Sequence, residues 1–422
     1  MHIFFYTLFL SLYHSGIRFI ARWNPKARLW TDGRKDIFPR LEKALSENKS
    51  PLIWLHCSSL GEFEQGRPVL ESLRKNYTNH KILLTFFSPS GYEAKKNYSG
   101  ADYIYYLPAD SKKNAKRFVE ITNPQLVLWV KYDYWYYYLA QLKQKNIPLL
   151  LISGVFRKDQ PFFKWYGRLH RYMLECFRHL FVQTEESAQL LKKVGLTESV
   201  SVAGDTRFDR VLEIAGNKRP LPEIDQFCDS KPVIVAGSTW AEDEEELDHY
   251  ANTHPQIRFI VAPHDISEER LKQAEGLFTR CTRYSELSNI AGSNNDDGVP
   301  NVLLIDNIGM LSQLYRYATI TYVGGGFGND GVHNVLEAAV YSKPVIFGPE
   351  YEKYIEAVEL VERGAAYSIE SAVEIEKLMN DMLADTNWLN ESGEAAGNYV
   401  RSKEGATQRI LAYIQENRLL TI

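Results

Sequence analysis

Cysteine is scarce in this chain of 422 residues, and its four cysteines, at positions 57, 176, 228 and 281, lie far apart. None of them forms a Cys-x-x-Cys pair or a spacing typical of zinc ligands, so neither a disulfide framework nor a zinc site is expected. Excess charge is also small, because 49 basic residues are balanced by 53 acidic ones. Domains that bind nucleic acid usually carry a basic excess, so we expect no nucleic acid among the partners.

The composition is that of a folded globular protein. Hydrophobic residues make up 45% and charged residues 24% of the chain, which excludes a disordered, collagen-like or polytopic membrane protein. The length favours two domains. Aromatic residues reach 13% of the chain and are clustered.

Residues 1–30 contain an apolar run and no acidic side chain. The run covers residues 3–13 and is followed by four basic residues, Arg18, Arg22, Lys26 and Arg28. It is too short for a clean spanning helix, and a secretory signal would carry its positive charge before the apolar core. An apolar segment with a basic flank suits an anionic cytoplasmic leaflet. We therefore expect residues 1–30 to form a membrane anchor, with a buried first helix of the fold as the alternative.

From residue 51 onward, β-rich apolar runs alternate with helical patterns. The first series of predicted strands comprises 52–56, 81–87, 125–130, 148–152 and 179–183, and the second comprises 232–236, 258–262, 301–305, 319–323 and 344–347. Glycine and proline interrupt the pattern between the two series. The sequence thus predicts an α/β protein with two doubly wound parallel domains, at 31–208 and 230–395, joined by a linker at 209–229. Ligand sites are expected at the carboxyl ends of the strands, in a cleft between the domains.

The first candidate for chemistry follows the first predicted strand, in the segment Trp54-Leu-His-Cys-Ser-Ser-Leu-Gly61-Glu62. A glutamate at the start of a helix there can take a proton from a sugar hydroxyl as a C–O bond forms. It can equally cap the helix and complement the helix dipole. The spacing alone leaves both interpretations open for Glu62. Ser59 and Gly61, in the same turn, are candidate contacts for an acceptor or its phosphates.

The second candidate is the glycine-rich loop Gly324-Gly325-Gly326, which precedes His333, Asn334 and Glu337. Glycines let a backbone approach a phosphate closely, and a helix beginning near His333 would add N–H donors. A carboxylate at Glu337 can accept hydrogen bonds from two ribose hydroxyls. The spacing fits neither a dinucleotide fingerprint nor a Walker loop. A glycine turn before a capped helix is the structural alternative.

A third element is Gly237-Ser238-Thr239, which follows a predicted strand. Small hydroxyl residues at this position can donate hydrogen bonds to a phosphate. They also cap many helices that bind no ligand, so both interpretations remain.

The aromatic residues collect with basic residues in two segments. One is Tyr132–Tyr138, and the other runs from Phe156 through Arg157, Arg168 and Arg171. Such a pattern can stack single-stranded nucleic acid, or it can lie at a membrane surface where Arg pairs with lipid phosphate. The apolar N-terminal segment favours the membrane interpretation. A solvated basic helix face is the alternative.

Taken in order along nearly the whole chain, these motifs resemble the 3-deoxy-D-manno-oct-2-ulosonic acid (Kdo) transferases of Gram-negative lipopolysaccharide assembly. The matching pieces also include Gly204-Asp205-Thr206-Arg207-Phe208-Asp209 and Pro344-Val-Ile-Phe-Gly348-Pro349. The resemblance implies a GT-B fold and inverting transfer of Kdo from CMP-Kdo to a lipid A precursor, without a metal or other cofactor. It also implies the cytoplasmic face of the inner membrane as the location. Residues 396–422 are expected to return to the first domain.

The resemblance implies that Glu62 is the general base and that the loop and helix from Gly324 to Glu337 hold CMP. The sequence departs from the family pattern at three places. Where many members carry Glu-x-Glu, this chain has Lys131-Tyr132-Asp133, which leaves Asp133 as the second catalytic acid. Where many carry Pro-Arg-His, it has Pro263-His264-Asp265, which makes His264 a donor-site candidate. Arg207, a candidate phosphate ligand, replaces a common Lys, which keeps the charge but changes the geometry.

Two other functions fit the same motifs. A nucleotide-sugar epimerase shares this architecture but needs no membrane anchor. A non-catalytic, membrane-bound protein that binds a nucleotide sugar needs no base.

Overall fold

The computed structural model describes residues 2–217, 219–287, 300–329 and 331–420. The chain forms two compact units. The first unit contains Met1–Asp209 together with Gly405–Ile422, and the second unit contains Arg210–Glu404.

The first unit is built on a parallel sheet of seven described strands in the order β3-β2-β1-β4-β5-β6-β7. Its central strands are apolar on both faces, because helices cover both sides of a parallel sheet. The strands are β1 Leu52–Cys57, β2 Lys81–Phe86, β3 Tyr103–Tyr106, β4 Leu126–Val130, β5 Leu149–Gly154, β6 His179–Val182 and β7 Val200–Val202.

The helices of the first unit pack against two apolar clusters, one on each face of the sheet. The last of these helices begins in the first unit and ends in the second unit. They are α1 His2–Ile20, α2 Pro25–Asp32, α3 Ile37–Leu45, α4 Leu60–Asn76, α5 Pro89–Lys95, α6 Lys112–Thr122, α7 Tyr136–Gln144, α8 Arg168–Leu174, α9 Glu185–Lys193 and α10 Thr206–Gly216.

The second unit contains a second parallel sheet of seven described strands, in the order β10-β11-β9-β8-β12-β13-β14. The strands are β8 Val233–Thr239, β9 Arg258–Pro263, β10 Cys281–Arg283, β11 Val302–Leu304, β12 Ile320–Val323, β13 Val345–Phe347 and β14 Ala366–Ser368. The helices are α11 Pro222–Cys228, α12 Ala241–Thr253, α13 Glu268–Leu277, α14 Leu311–Leu314, α15 Leu336–Ala339, α16 Ile355–Glu362, α17 Ala372–Ala384 and α18 Thr386–Ser402. The predicted pair of doubly wound parallel units is confirmed.

The chain returns to the first unit through a final helix, α19 Ala406–Glu416. Ile410 and Ile414 of this helix are fully buried in the apolar cluster that also contains residues of β1 and α4. Asp209 is far from this helix in sequence but caps its start. Its carboxylate accepts hydrogen bonds from the backbone N–H groups of Gly405 and Thr407, both at 2.6 Å. Helix α19 is therefore attached to the rest of the first unit by both apolar contacts and hydrogen bonds.

Two predicted boundaries need correction. The predicted linker at 209–229 contains the end of α10 and the whole of α11, and from Arg210 onward it belongs to the second unit. The returning segment begins at Gly405 rather than at 396, because α18 continues to Ser402 and belongs to the second unit.

Helix α1 attaches to the first unit along one side only. The Tyr6 hydroxyl donates to Asp110 at 2.6 Å, and Thr7 is hydrogen bonded to the Tyr137 hydroxyl at 2.6 Å. Only 6% of the window Ile3–Ile20 is buried, and the helix is apolar and long enough to cross a membrane by length and composition. The alternative of a buried first helix is therefore wrong. Its exposed side carries large apolar residues, namely Ile3, Phe4, Phe5, Leu8, Phe9, Leu12, Tyr13, Phe19 and Ile20.

Candidate functional site

Glu62 lies at the start of α4, directly beyond the carboxyl end of β1. Ser59 is the N-cap residue, and its hydroxyl accepts the Glu62 N–H at 3.4 Å. The Glu62 carboxylate turns back and accepts the backbone N–H of Ser58, which is close to the reciprocal pattern of a capping box. Its side chain is nevertheless buried, with 8% of the residue exposed. The capping contact is thus present, but it holds a carboxylate away from water.

Burial raises the pKa of Glu62 to about 7, and the negative charge of Asp133 adds to this effect. The backbone N–H groups of Ser58 and Tyr132 and the charge of Lys131 act in the opposite direction. A carboxyl group that exchanges a proton near neutral pH suits general-base catalysis, since a catalytic pKa works best near the operating pH. A helix cap in water has no need of such a shift.

Lys131 and Asp133 follow the carboxyl end of β4, which is paired with β1. Lys131 has φ 52°, in the left-handed region that non-glycine residues rarely adopt. Strain of this kind persists only where the surroundings hold it in place; here the Trp129 indole donates to the carbonyl of Asp133. Burial raises the pKa of the Asp133 carboxyl as well. Glu62, Lys131 and Asp133 therefore lie together beyond the carboxyl ends of the neighbouring strands β1 and β4.

A second group of polar residues is connected to these strand ends through α4. Gln65, one helical turn beyond Glu62, donates to Asp205 at 3.2 Å, and Arg207 forms an ion pair with Asp205 at 2.8 Å. Burial acts to raise the pKa of Asp205, but the charges of Arg207 and Lys131 outweigh it and hold that pKa below its usual range. Gln65 and Asp205 were missed as site residues; Asp205 stood in a quoted motif, and nothing in the sequence marked Gln65.

The remaining candidates for acceptor phosphates differ in their surroundings. The Arg171 guanidinium donates to the carbonyls of Phe162 and Lys164 at 3.1 and 2.9 Å. Its Nη1 therefore holds its own loop, and the role of Arg171 as a phosphate ligand stays a prediction. Arg157 and Arg168 are exposed, and Trp165 between them is 92% exposed.

In the second unit, the glycine-rich loop leaves the carboxyl end of β12. A Cβ atom on Gly324 would lie 2.5 Å from the Ser238 carbonyl oxygen, and one on Gly326 would lie 2.6 Å from the backbone nitrogen of Gly348. Gly325 has φ 93°. Close backbone packing thus explains the glycines without a ligand, so the case for binding depends on the polar residues around the loop.

Asp243, which the sequence did not single out, fixes this loop. Its buried carboxylate accepts the N–H groups of Trp240 at 2.8 Å and Gly325 at 2.9 Å, together with the Tyr322 hydroxyl at 2.8 Å. Burial raises the pKa of Asp243, and these three donors oppose the rise. One carboxylate therefore ties the segment after β8 to the segment after β12.

Two details of the predicted nucleotide site need correction. The helix expected near His333 is α15, which begins at Leu336 and has four residues, so His333 and Asn334 lie in a non-helical segment. The Thr239 hydroxyl donates to Glu244 at 2.7 Å, and Arg270 pairs with the same carboxylate. The proton of the Thr239 hydroxyl is thus used within the unit. Of the two hydroxyl residues Ser238 and Thr239, only Ser238 is then left to donate a hydrogen bond to a phosphate.

Asn334 and Glu337 form a polar pair beside the loop. The Asn334 amide donates to Glu337 at 2.9 Å and orients a partly exposed carboxylate. His264 follows β9, and its ring stacks on those of Trp240 and His333 at centroid distances of 4.7 and 4.6 Å. Gly237 and Ser238 therefore lie at the carboxyl end of β8, and other predicted donor residues lie on segments that follow its neighbours β9 and β12, namely His264, Gly324, His333 and Asn334.

Among the described residues, no group of three or more His, Cys, Asp or Glu side chains is arranged to hold a metal ion. The two sites are therefore built from carboxylates, hydroxyls, amides, imidazoles and basic side chains.

Two parallel doubly wound units with polar sites at strand ends define the GT-B class. The fold is similar to that of UDP-GlcNAc 2-epimerase from Neisseria meningitidis, with TM-score 0.58 and 17% identity over 86% of this chain and 100% of that one. It is also similar to Acinetobacter baumannii MurG, with TM-score 0.53 and 11% identity over 87% and 99% of the two chains. These likenesses establish the fold.

Sequence comparison adds a similarity to one family. Residues 34–210 match the family described as 3-deoxy-D-manno-octulosonic-acid transferase (kdotransferase). A 3-deoxy-D-manno-octulosonic acid transferase of Aquifex aeolicus is 26% identical over 83% of this chain and 90% of its own length. The chain is therefore similar to Kdo transferases over most of its length.

A further relative carries a second activity. A bifunctional glycosyltransferase/methyltransferase of Fusobacterium nucleatum is 28% identical over 90% of this chain, and the match spans 58% of that protein's length.

Proposed function

We infer that this glycosyltransferase moves Kdo from CMP-Kdo to a hydroxyl of a lipid A precursor, with inversion at the sugar carbon. The similarity to Kdo transferases supports the sugar. The single observation that carries the mechanism is the buried Glu62 carboxyl, whose pKa is raised to about 7 beside the strand ends of the first unit.

In the proposed reaction, the acceptor hydroxyl oxygen forms the new bond to the anomeric carbon of Kdo and gives its proton to Glu62. The bond between that carbon and the phosphate oxygen breaks, and CMP leaves with the electron pair. Attack and departure on opposite sides invert the configuration. Asp133 raises the proton affinity of Glu62 through its charge, which makes the carboxylate a stronger base than an exposed glutamate.

The donor is assigned to the second unit. Backbone N–H groups of Gly324–Gly326, the Ser238 hydroxyl and the Asn334 amide are the donors proposed for the phosphate, because N–H and O–H dipoles stabilise a leaving anion. Glu337, oriented by Asn334, is proposed to accept the ribose hydroxyls. We expect no metal requirement, so transfer should persist in a chelator such as EDTA.

The acceptor is assigned to a membrane surface. The exposed apolar side of α1 and the basic residues that follow it support attachment to an anionic bilayer. A lipid acceptor stays in the bilayer, so we place the enzyme at the cytoplasmic face of the inner membrane, where Arg168 and Arg157 can pair with acceptor phosphates.

The test is incubation of the full chain with CMP-Kdo and a lipid A precursor, followed by mass measurement of the product. Glu62→Gln should lose about 10²–10⁴-fold in kcat and still bind CMP, the range typical for loss of a general base. Glu64→Gln, two residues along the same helix and paired with Arg67 and Lys95 at the surface, should keep its activity. Unchanged turnover in Glu62→Gln would return Glu62 to a capping role.

The same incubation separates the rival functions. A sugar product formed without any lipid acceptor would favour an epimerase. Binding of CMP without transfer to any acceptor would favour a non-catalytic nucleotide-sugar binding protein.

A further inference from the structure

Trp240, His264 and His333 form a three-ring group in the second unit. The Trp240 indole N–H donates to Nε2 of His333 at 2.9 Å, and the two ring planes differ by 19°. The two rings therefore lie edge to edge. His264 stacks on both of them, with interplanar angles of 27° to Trp240 and 14° to His333.

The hydrogen bond fixes which histidine can carry a charge. An indole N–H only donates, so Nε2 of His333 must accept and holds no proton in this arrangement. The ring proton of His333 is then on Nδ1, and the imidazole is neutral. A second proton on His333 would point its Nε2–H at the indole N–H of Trp240, so that two donors would face each other. It would also place a cation 4.6 Å from the centroid of the His264 ring. A positive charge in the group therefore belongs on His264.

The position of His264 suits a cation. Its side chain is exposed to solvent, where an anion can contact it. Its ring centroid lies 4.7 Å from that of Trp240, within the range at which an aromatic face attracts a cation. Its backbone N–H donates to the Thr239 carbonyl at 2.9 Å, which holds the residue beside the end of β8.

Four acidic groups on the surrounding segments accept hydrogen bonds from other donors. Asp243 accepts from Trp240 and Gly325, and Asp265 accepts from the N–H and hydroxyl of Ser267. Glu244, on the far side of the strand end, accepts from Thr239 and Arg270. Glu337, beyond the glycine loop, accepts from Asn334. An incoming anion would thus be a new partner for a charged His264.

We propose that His264 is the anion ligand of the nucleotide site and takes up a proton when a nucleotide phosphate binds. Trp240 is then a positioning residue, since it keeps His333 neutral and leaves the proton to His264. The inference rests on the proposed assignment of the donor to the second unit. Because histidine gains or loses a proton near neutral pH, an anion that binds the charged form must bind more weakly as the pH rises.

The experiment is a calorimetric titration of the full chain with cytidine 5′-(methyl phosphate). This phosphodiester resembles the donor linkage and lacks the second phosphate ionisation, which would itself titrate near pH ~6. Repeating the titration in buffers of different ionisation enthalpy measures the protons taken up. The wild type should take up a proton fraction that rises with pH, and its affinity should fall by up to about tenfold per pH unit above neutrality.

Three variants separate the roles of the rings. His264→Arg should keep the affinity but bind independently of pH, with no proton uptake. His264→Gln should bind weakly at every pH. Trp240→Phe keeps a stacking ring but removes the N–H, so His333 can also take up a proton and the measured uptake should rise above that of the wild type. A merely structural role of Trp240 would lower the affinity without raising the uptake.

The outcomes distinguish this inference from the proposed function. Wild-type binding without proton uptake, or uptake that persists in His264→Arg, would overturn the role of His264 and leave the donor assignment intact. Absence of binding at every pH would overturn the donor assignment and this inference together.

Discussion

At the scale of single residues, the catalytic role proposed for Glu62 opposes the stability of the fold. A glutamate in water has a pKa of about 4.3, whereas burial and Asp133 raise that of Glu62 to about 7. Below the ordinary pKa the carboxyl is protonated in both the folded and unfolded states. Between the two values only the folded state holds the proton, so the free energy of unfolding falls as the pH rises through this window.

This linkage predicts a stabilising but inactive variant. Glu62→Gln cannot ionise, so it should exceed the wild type in unfolding free energy by about 1–3 kcal/mol at pH ~8 and match it at pH ~4. Thermal unfolding of both proteins across this range measures the difference. Glu64→Gln is the control and should show no such dependence on pH. A Glu62→Gln variant that is less stable at pH ~8 would contradict the prediction.

The dependence of activity on pH should report the same carboxyl group. The base acts in its ionised form, so kcat at saturating CMP-Kdo should fall about tenfold per pH unit below about 7 and reach a plateau above it. Lys131 lowers the pKa of Glu62 by its charge, so Lys131→Met should move this limb to higher pH. Lys131→Arg should leave it in place. An unmoved limb in Lys131→Met would show that Lys131 does not act on the base.

At the scale of secondary-structure elements, the sequence predicted the strands that form the middle of each sheet. The long apolar runs at β1 and β9 are buried on both faces, and that burial produces the pattern. The four missed strands are β3, β7, β10 and β14, which are the edge strands of the two sheets. Each has three or four residues and partly exposed side chains, so it lacks an apolar run long enough to recognise.

The candidate sites divide in the same way. Glu62 and the glycine loop follow central strands and carry recognisable residue types, so the sequence indicated them. Asp243 and Gln65 act through contacts with residues that lie far away in the chain, such as Gly325 and Asp205. Such contacts depend on tertiary packing, and no local spacing encodes them.

The remote cap of α19 gives a prediction at this scale. Asp209→Ala removes the acceptor for two N–H groups at the helix start, which should cost about 1–2 kcal/mol. Hydrogen exchange should speed up in α19 and remain unchanged in α18. The matched control is Asp385→Ala, which removes the cap of α18 at Asn387 and Trp388 and should have the reverse effect. Equal exchange in both helices would contradict the assignment.

At the scale of the whole molecule, a nearly neutral protein carries one apolar surface at α1. Phe4→Ser and Phe9→Ser change exposed residues and retain the contacts of Tyr6 and Thr7 with the first unit. Since a buried Phe contributes about 1.5–3 kcal/mol, each change should weaken binding to anionic vesicles by about tenfold or more. Sedimentation with vesicles measures this loss.

Binding of CMP and the dependence on salt test whether the effect is specific to membrane attachment. Binding of CMP should be unaffected by either change, because the proposed nucleotide site is in the second unit. High salt should weaken vesicle binding of the wild type, since the basic residues after α1 act through screened charges. Vesicle binding that persists in both variants would show that α1 is not the attachment surface.

The return of residues 405–420 to the first unit sets an order on the synthesis of the protein. A ribosome must produce the entire second unit before it produces Ile410 and Ile414, which complete the apolar cluster against β1 and α4. Domains usually fold in sequence as the chain emerges, but here the earlier half remains unfinished while the later half can already fold. Helix α4, which carries Glu62, would then complete its packing only after the second unit has been made, so a chain that ends before Ile410 would leave this apolar cluster unfinished.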